Sequence, residues 1–102
     1  MSDFISQIVE KLKPYNPQKI ILFGSQVTGK THEDSDWDIA IIKETGVPFR
    51  ERRMEVYDFL RTTTPIDVFI FTPSEFEKYK NESLFVNQIA ETGKIIYEQP
   101  IA

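Results

Sequence analysis

Cysteine is absent from this 102-residue sequence, which excludes disulfides and thiolate zinc sites. Basic residues are also few, since 12 Lys and Arg against 16 Asp and Glu give a formal net charge of -4. Affinity for a nucleic-acid backbone comes from clustered Lys and Arg, so this balance argues against direct nucleic-acid binding. No apolar run approaches the roughly 20 residues of a membrane span, and the N-terminus lacks the basic and apolar regions of a signal peptide. We therefore expect a soluble, cytoplasmic protein without a membrane partner.

The length of the chain predicts a single domain over residues 1–102 with a modest core. Apolar residues at spacings of three and four predict an opening helix from Phe4 to Leu12 and later helical segments between Pro73 and Gly93. Apolar and β-branched runs predict four strands: Lys19–Phe23, Asp36–Lys43, Ile66–Phe71 and Lys94–Glu98. The order indicates an α/β (α+β) fold, with a small mixed sheet of about four strands flanked by helices.

Two local patterns refine the helices. In the segment after Pro48, the apolar positions Met54, Val56, Tyr57 and Leu60 predict the buried face of a helix. The charged residues of the same segment are expected to cover its solvent face: Arg50, Glu51, Arg52, Arg53 and Glu55. Thr72-Pro73-Ser74-Glu75 predicts a capping box at the start of the next helix.

The stretch from Ile20 to Ile42 carries the chemistry. A small-residue turn at Gly24 and Ser25 follows the first predicted strand, and its N–H groups and hydroxyl suit an anion. Asp36 and Asp38 are two residues apart at the start of the second strand, so their side chains are expected on one face. Adjacent carboxylates repel unless a cation lies between them, and hard oxygen ligands suit Mg²⁺ or Mn²⁺. An anion site beside a divalent cation is what phosphoryl transfer requires.

Asp67 is the third candidate ligand. It interrupts an apolar strand, where an isolated carboxylate is costly to bury without a partner. If the third strand lies beside the second, Asp36, Asp38 and Asp67 are expected to converge on one or two cations, as in two-metal sites. The alternative is structural: Asp36 and Asp38 end a polar loop, and Asp67 begins a strand at an exposed edge.

A competing motif occupies part of the same stretch. Residues 24–31 match the P-loop pattern G-x-x-x-x-G-K-[ST] letter for letter after a predicted strand, with Lys30 as its lysine. A P-loop must open into a helix at that lysine, whose N-terminus receives the phosphates. Here an acidic segment and a second strand follow instead, so the P-loop interpretation is the weaker one.

The pattern of Gly24-Ser25, Asp36-Trp37-Asp38 and a later strand Asp67 resembles the minimal nucleotidyltransferases of the DNA polymerase beta superfamily. The resemblance implies the nucleotidyltransferase fold, ATP as substrate and Mg²⁺, with two ions, as cofactor. It also implies that Gly24 and Ser25 bind the nucleotide phosphates, that Asp36 and Asp38 bind the metal, and that Asp67 helps to deprotonate the attacking hydroxyl. In the turn, the family often carries Arg where this chain has Gln26, Val27 and Thr28. That departure predicts either weaker phosphate affinity or a compensating role for Lys30 in nucleotide binding.

Small members of this family are typically antitoxins paired with a HEPN-domain toxin, and some transfer AMP to a tyrosine of that toxin. The resemblance therefore implies a metal-dependent protein adenylyltransferase with a HEPN partner. Larger relatives hold the acceptor with a second domain, so a partner protein or a second copy in a homo-oligomer is expected to complete the acceptor side. A second hypothesis is a non-catalytic antitoxin that neutralises its partner by direct contact.

Overall fold

The structure is a computed structural model that describes residues 3–28 and 36–100. Its helices and strands follow one another in the order that the apolar pattern predicts. The helices are α1 (Asp3–Leu12), α2 (Ser25–Thr28), α3 (Arg53–Leu60), α4 (Pro73–Tyr79) and α5 (Leu84–Thr92). The strands are β1 (Lys19–Phe23), β2 (Trp37–Ile42), β3 (Ile66–Phe71) and β4 (Lys94–Glu98). Short 3₁₀ turns cover Lys13–Tyr15 and Phe49–Glu51.

The four strands form one mixed sheet in the order β3-β2-β1-β4. The pairs β1–β2 and β1–β4 are antiparallel, and β2–β3 is parallel. The two central strands are the most apolar, because a strand covered on both faces has no side chain directed to water. Ile39, Ala40 and Ile41 of β2 are accordingly fully buried. The predicted fold class, a four-stranded mixed sheet flanked by helices, is confirmed.

Each face of the sheet has its own apolar core. On one face, residues of α1 and α3, among them Ile8 and Val56, pack on Leu22, Ile39 and Val68. On the other face, Val86 and Ile89 of α5 pack on a second set of strand residues: Ile21, Phe23, Ala40, Ile42 and Phe71. The side chains alternate between the faces along each strand. The odd- and even-numbered residues of β2 therefore face different helices.

The prediction for the α3 segment was partly wrong. Val56 and Leu60 are buried, whereas Met54 is 72% and Tyr57 52% exposed. Met54 lies two residues from Val56, which is about 200° around a helix of 3.6 residues per turn, so the two side chains point to opposite sides. The apolar composition of the segment was correct, but the spacing of its buried face was not.

Arg52 was expected on the solvent face and is instead buried, with 5% of its surface exposed. Its guanidinium donates to the carbonyl oxygens of Val47 at 2.7 Å and Ile70 at 3.2 Å. It also donates to both carboxylate oxygens of Glu75, at 2.5 and 3.1 Å. A buried charge is tolerated only when its donors are satisfied, and here the fork of Arg52 meets four acceptor atoms.

The predicted capping box at the start of α4 is confirmed, and it shares Glu75 with Arg52. The Thr72 hydroxyl accepts from Glu75 N–H, and the Glu75 carboxylate accepts from Thr72 N–H at 2.9 Å. The hydrogen bonds from Arg52 hold the pKa of Glu75 below its usual value, and the Thr72 N–H adds to that effect. One carboxylate therefore joins the start of α4 to the 3₁₀ turn before α3.

Glu75→Gln should destabilise the protein by about 3 kcal/mol, because it leaves Arg52 buried without its countercharge. Since the folded-state pKa of Glu75 is lowered, its contribution is complete above the unfolded pKa near 4.5 and is lost as the pH falls through the folded value. Urea unfolding between pH 3 and 7 would measure both effects, and the variant should lose part of the wild-type pH dependence. Glu77→Gln is the matched control, because Glu77 pairs with Lys80 at the surface and should contribute less than about 1 kcal/mol. Equal losses for the two variants would contradict the prediction.

Candidate active site

The site begins with two aspartates on neighbouring parallel strands. Asp38 of β2 and Asp67 of β3 are register partners, so their side chains leave the same face of the sheet at the same level. The two carboxyl groups interact, and this interaction contributes to the raised pKa of Asp38. Asp67 is exposed and Asp38 is half-buried. The structure thus brings together two of the three predicted carboxylates.

The surroundings of Asp38 change its pKa. Burial raises the pKa of Asp38 above its usual value, and the neighbouring carboxylates of Asp67 and Asp36 raise it further. A raised pKa means that the folded protein holds a negative charge here at a cost. A cation or a shared proton would relieve that cost.

Asp36 lies at the exposed entrance to β2 and acts on Asp38 through its charge. Within residues 3–28 and 36–100, no group of three or more His, Cys, Asp or Glu side chains is arranged to hold a metal ion. The predicted convergence of three carboxylates is therefore present only as a contacting pair with a third charge nearby. Lys30, the predicted nucleotide-binding lysine, lies outside the described residues.

Gly24 brings the turn after β1 against the pair. Its φ of 82° is a conformation that side-chain-bearing residues rarely adopt. A Cβ at this position would lie 3.3 Å from Cγ of Asp38 and would overlap its Oδ2 atom. Ser25 follows as the first residue of α2, and Val27 N–H donates to Gly24 O at 3.0 Å. The Gly24-Ser25 turn therefore lies directly beside the Asp38 carboxylate, as the sequence pattern predicts.

The donor set fits a divalent cation. Both side chains offer hard oxygen atoms, and their mutual repulsion is the condition that a bound cation relieves. Mg²⁺ usually takes one or two protein carboxylates and completes its shell with water and substrate phosphates, so a pair is sufficient. Asp38 and Asp67 would hold the ion, with Asp36 contributing charge.

A cleft of about 380 Å³ opens next to Asp38. Gly24 and Asp38 form one side of it, and α5 forms the other. The residues that line it are Phe23, Gly24, Asp38, Phe69, Phe85, Gln88 and Thr92. The cleft therefore has a polar rim beside the carboxylates and an aromatic floor.

Sequence reasoning missed the α5 side of this cleft. Phe85, Gln88 and Thr92 are spaced by three and four residues, which places them on one face of a helix. That spacing would have shown that they share a face. It does not tell which face of α5 lies over the carboxylates, since that depends on how α5 packs on β1.

The strand pairing excludes the P-loop interpretation. β1 and β2 are adjacent and antiparallel, whereas the strand, loop and helix of a P-loop lead through a crossover into a parallel strand. The eight-letter match at residues 24–31 is therefore not evidence for that fold.

The comparisons with known proteins agree with this geometry. The family described as Polymerase beta, Nucleotidyltransferase matches residues 6–101. The protein adenylyltransferase MntA of Aphanizomenon flos-aquae (strain 2012/KM1/D3) is 27% identical over 94 residues. That match covers 79% of this chain and 57% of MntA, so the chain spans little more than half the length of this relative.

Solved structures show the same fold. A Sulfolobus solfataricus protein assigned as a nucleotidyltransferase superposes with a TM-score of 0.67 at 18% identity, over 93% of this chain and 78% of that one. A toxin-antitoxin structure with AMP-PNP gives 0.55 at 22% identity, over 93% and 73%. A mutant of the toxin-antitoxin complex MntA-HpeT gives 0.54 at 20% identity, with the same coverage.

Asp38→Asn should stabilise the protein in the absence of divalent cations by about 1 kcal/mol, or roughly 4–8 °C in Tm, because it removes the repulsion within the pair. Millimolar Mg²⁺ should raise the Tm of the wild type and leave the variant unchanged, since binding to the folded state adds stability by mass action. Thermal unfolding with EDTA and with Mg²⁺ measures both effects, and Asp58→Asn on the exposed part of α3 is the control. A wild type that does not respond to Mg²⁺ or Mn²⁺ would contradict the cation assignment.

Proposed function

The chain belongs to the polymerase beta nucleotidyltransferase family, and from that premise we propose that it transfers AMP from ATP to a tyrosine hydroxyl of a partner HEPN-domain toxin. In this proposal it is the antitoxin of the pair and works as a single minimal domain in the cytoplasm. The observation that carries the proposal is the register pairing of Asp38 with Asp67 beside Gly24. This arrangement combines the turn and the strand carboxylates that AMP transfer needs at one end of the sheet.

The relatives support the finer parts of the proposal. The similar protein from Aphanizomenon flos-aquae is a protein adenylyltransferase. Two structures with the same fold are toxin-antitoxin assemblies, and one of them contains the ATP analogue AMP-PNP. Among the described residues, no helix is long and apolar enough to cross a bilayer. ATP and Mg²⁺ are both abundant where an intracellular toxin would act.

In the proposed reaction, the tyrosine oxygen attacks the α-phosphorus of ATP. A new P–O bond forms to the tyrosine, the bond to the β-phosphate oxygen breaks, and pyrophosphate leaves. Asp67, the exposed member of the pair, accepts the hydroxyl proton. The backbone of Gly24 and the hydroxyl of Ser25 hold phosphate oxygens, with Lys30 as a further charge.

Asp38 and Asp67 would hold the metal, and Asp36 would add its negative charge. Bound Mg²⁺ would neutralise the phosphates and polarise the α-phosphoryl group, and two ions would serve the attacking and leaving oxygens. The half-buried position of Asp38 keeps water away from part of this charge. The carboxylates must stay ionised to do so, and the cation itself favours that form.

Incubation of the cognate HEPN-domain protein with this chain, ATP and Mg²⁺ should add the mass of one AMP to the toxin, measured by intact mass spectrometry. Asp67→Asn should slow the transfer by roughly 10²–10⁴-fold, because it removes the proton acceptor. Asp58→Asn, an exposed aspartate on α3, should leave the rate unchanged. Equal transfer rates for the two variants would remove Asp67 from the mechanism, and an unmodified toxin would overturn the proposed activity.

A second candidate is a non-catalytic antitoxin that covers its toxin. One observation favours it: the turn carries Gln26, Val27 and Thr28 where the family often has Arg. If catalysis matters, the double variant Asp36→Asn and Asp38→Asn should lose neutralisation in a growth assay with the co-expressed toxin. Persistence of neutralisation, together with an intact complex in gel filtration, would show that contact alone suffices.

A further inference from the structure

A second cavity lies on the same face of the sheet as the carboxylate pair. It is a groove of about 620 Å³ between β3, the two helices α4 and α5, and the 3₁₀ turn at Phe49–Glu51. Phe49, Phe71, Tyr79 and Phe85 supply most of its wall. It is larger than the cleft beside Asp38, and its lining is mainly aromatic.

Three of the rings that line the groove are open to solvent. Phe49 is 49%, Tyr79 40% and Phe85 44% exposed. Contiguous exposed aromatic surface is costly in water and marks sites of interaction more often than isolated apolar residues do. The one charged residue in the wall is Glu75, and its carboxylate is already bonded to Arg52. The groove therefore suits an apolar or aromatic group and does not suit a triphosphate.

The groove shares a wall with the cleft next to Asp38. Phe69 and Phe85 line both cavities, and their ring centroids are 5.1 Å apart in an edge-to-face contact. Gly24 lies on the cleft side of this wall, towards β1. On the other side, β3 leads from Asp67 to Phe69 and Phe71, which leave the same face in steps of roughly 7 Å. Asp67, the proton acceptor of the proposed reaction, thus lies one step along β3 from Phe69, the residue that lines both cavities.

Two arginines border the groove at Phe49. Arg50 and Arg53 line a shallow hollow of about 240 Å³ together with Phe49 and Phe69. Both are exposed, and neither has a salt-bridge partner among residues 3–28 and 36–100. An acidic side chain next to an aromatic one would complement this edge.

We propose that this groove is the acceptor site: it binds a polypeptide segment of the partner that carries a tyrosine with acidic neighbours. The aromatic side chains of the segment pack on Phe49 and Tyr79, its acidic residues face Arg50 and Arg53, and its tyrosine hydroxyl reaches Asp67. The nucleotide occupies the cleft at Gly24, and Phe69 and Phe85 lie between the two binding sites, while the tyrosine hydroxyl and the α-phosphate meet beside Asp38 and Asp67. This inference rests on the proposed AMP transfer and adds where the acceptor binds and what it contains.

Steady-state AMP transfer to the HEPN-domain partner tests the assignment with Phe49→Ala and Tyr79→Ala. Each should raise the KM for the partner about tenfold, because a few buried anchors, often aromatic, dominate the binding energy of a protein interface. Affinity for ATP, measured by calorimetric titration with Mg²⁺, should change less than about twofold. Tyr79→Phe should retain the wild-type KM, since the ring and not its hydroxyl makes the contact.

Tyr57→Ala is the matched control, because Tyr57 is 52% exposed but lies on α3 outside the groove. If Phe49→Ala and Tyr79→Ala behave like this control, the groove is not the acceptor site. A loss of ATP affinity equal to the rise in KM would assign the groove to the nucleotide and would also overturn the inference. Absence of transfer by the wild type would be a failure of the proposed function itself, and the wild-type reaction distinguishes that outcome from the other two.

The charge of the segment has its own test. Arg50→Glu combined with Arg53→Glu should raise the KM for the partner at low salt. Added NaCl should then lower the KM of the variant and raise that of the wild type, because salt screens repulsion in the first and attraction in the second. Peptide mapping of the modified partner should find AMP on a tyrosine with Asp or Glu among its close neighbours. An unchanged KM in the charge-reversed variant, or AMP on a tyrosine in a basic segment, would contradict the proposed chemistry of the acceptor.

Discussion

The parallel register of β2 and β3 is the constraint on which the site depends. It places Asp38 beside Asp67, although the two carboxylates repel; burial raises the pKa of Asp38, and the charge of Asp67 raises it further. The sheet can hold this unfavourable pair because six successive residues of each strand are paired and β2 is buried on both faces. The stability of the sheet thus keeps the carboxylates of Asp38 and Asp67 close together, where they could bind a cation that in turn binds a phosphate.

A second interaction fixes the walls of the aromatic groove that we propose as the acceptor site. The guanidinium of Arg52 joins β3, through Ile70 O, to Glu75 at the start of α4. It also lies 5.6 Å from the ring of Phe49, at a distance typical of a cation–π contact. Phe49 and Glu75 both line the apolar groove, so the same buried ion pair positions two of its walls. The groove is therefore preformed, which lowers the entropic cost of binding a partner segment.

The two faces of the sheet have different roles. The face covered by α1 and α3 contains the larger core, which provides stability. The opposite face is covered only in part by α4 and α5, and it leaves a polar-rimmed cleft at Gly24 and an aromatic groove at Tyr79. In the proposed reaction, a partner protein would cover the part of this face that α4 and α5 leave open.

The sequence by itself determined the four strands, the capping box at Thr72 and the turn at Gly24, because each depends on local spacing or on residue types with strong backbone preferences. It indicated Asp38 and Asp67 as candidates, but the parallel register of β2 and β3 brings them together. Tertiary structure decided the rest. Arg52 reads as a surface residue until Val47, Ile70 and Glu75, which lie 5 to 23 residues away, provide acceptors for it. The cleft and the groove likewise exist only because α5 packs across β1 and brings Phe85 against Phe69. Contacts between residues distant in sequence depend on packing, and packing is not encoded in any single stretch of the chain.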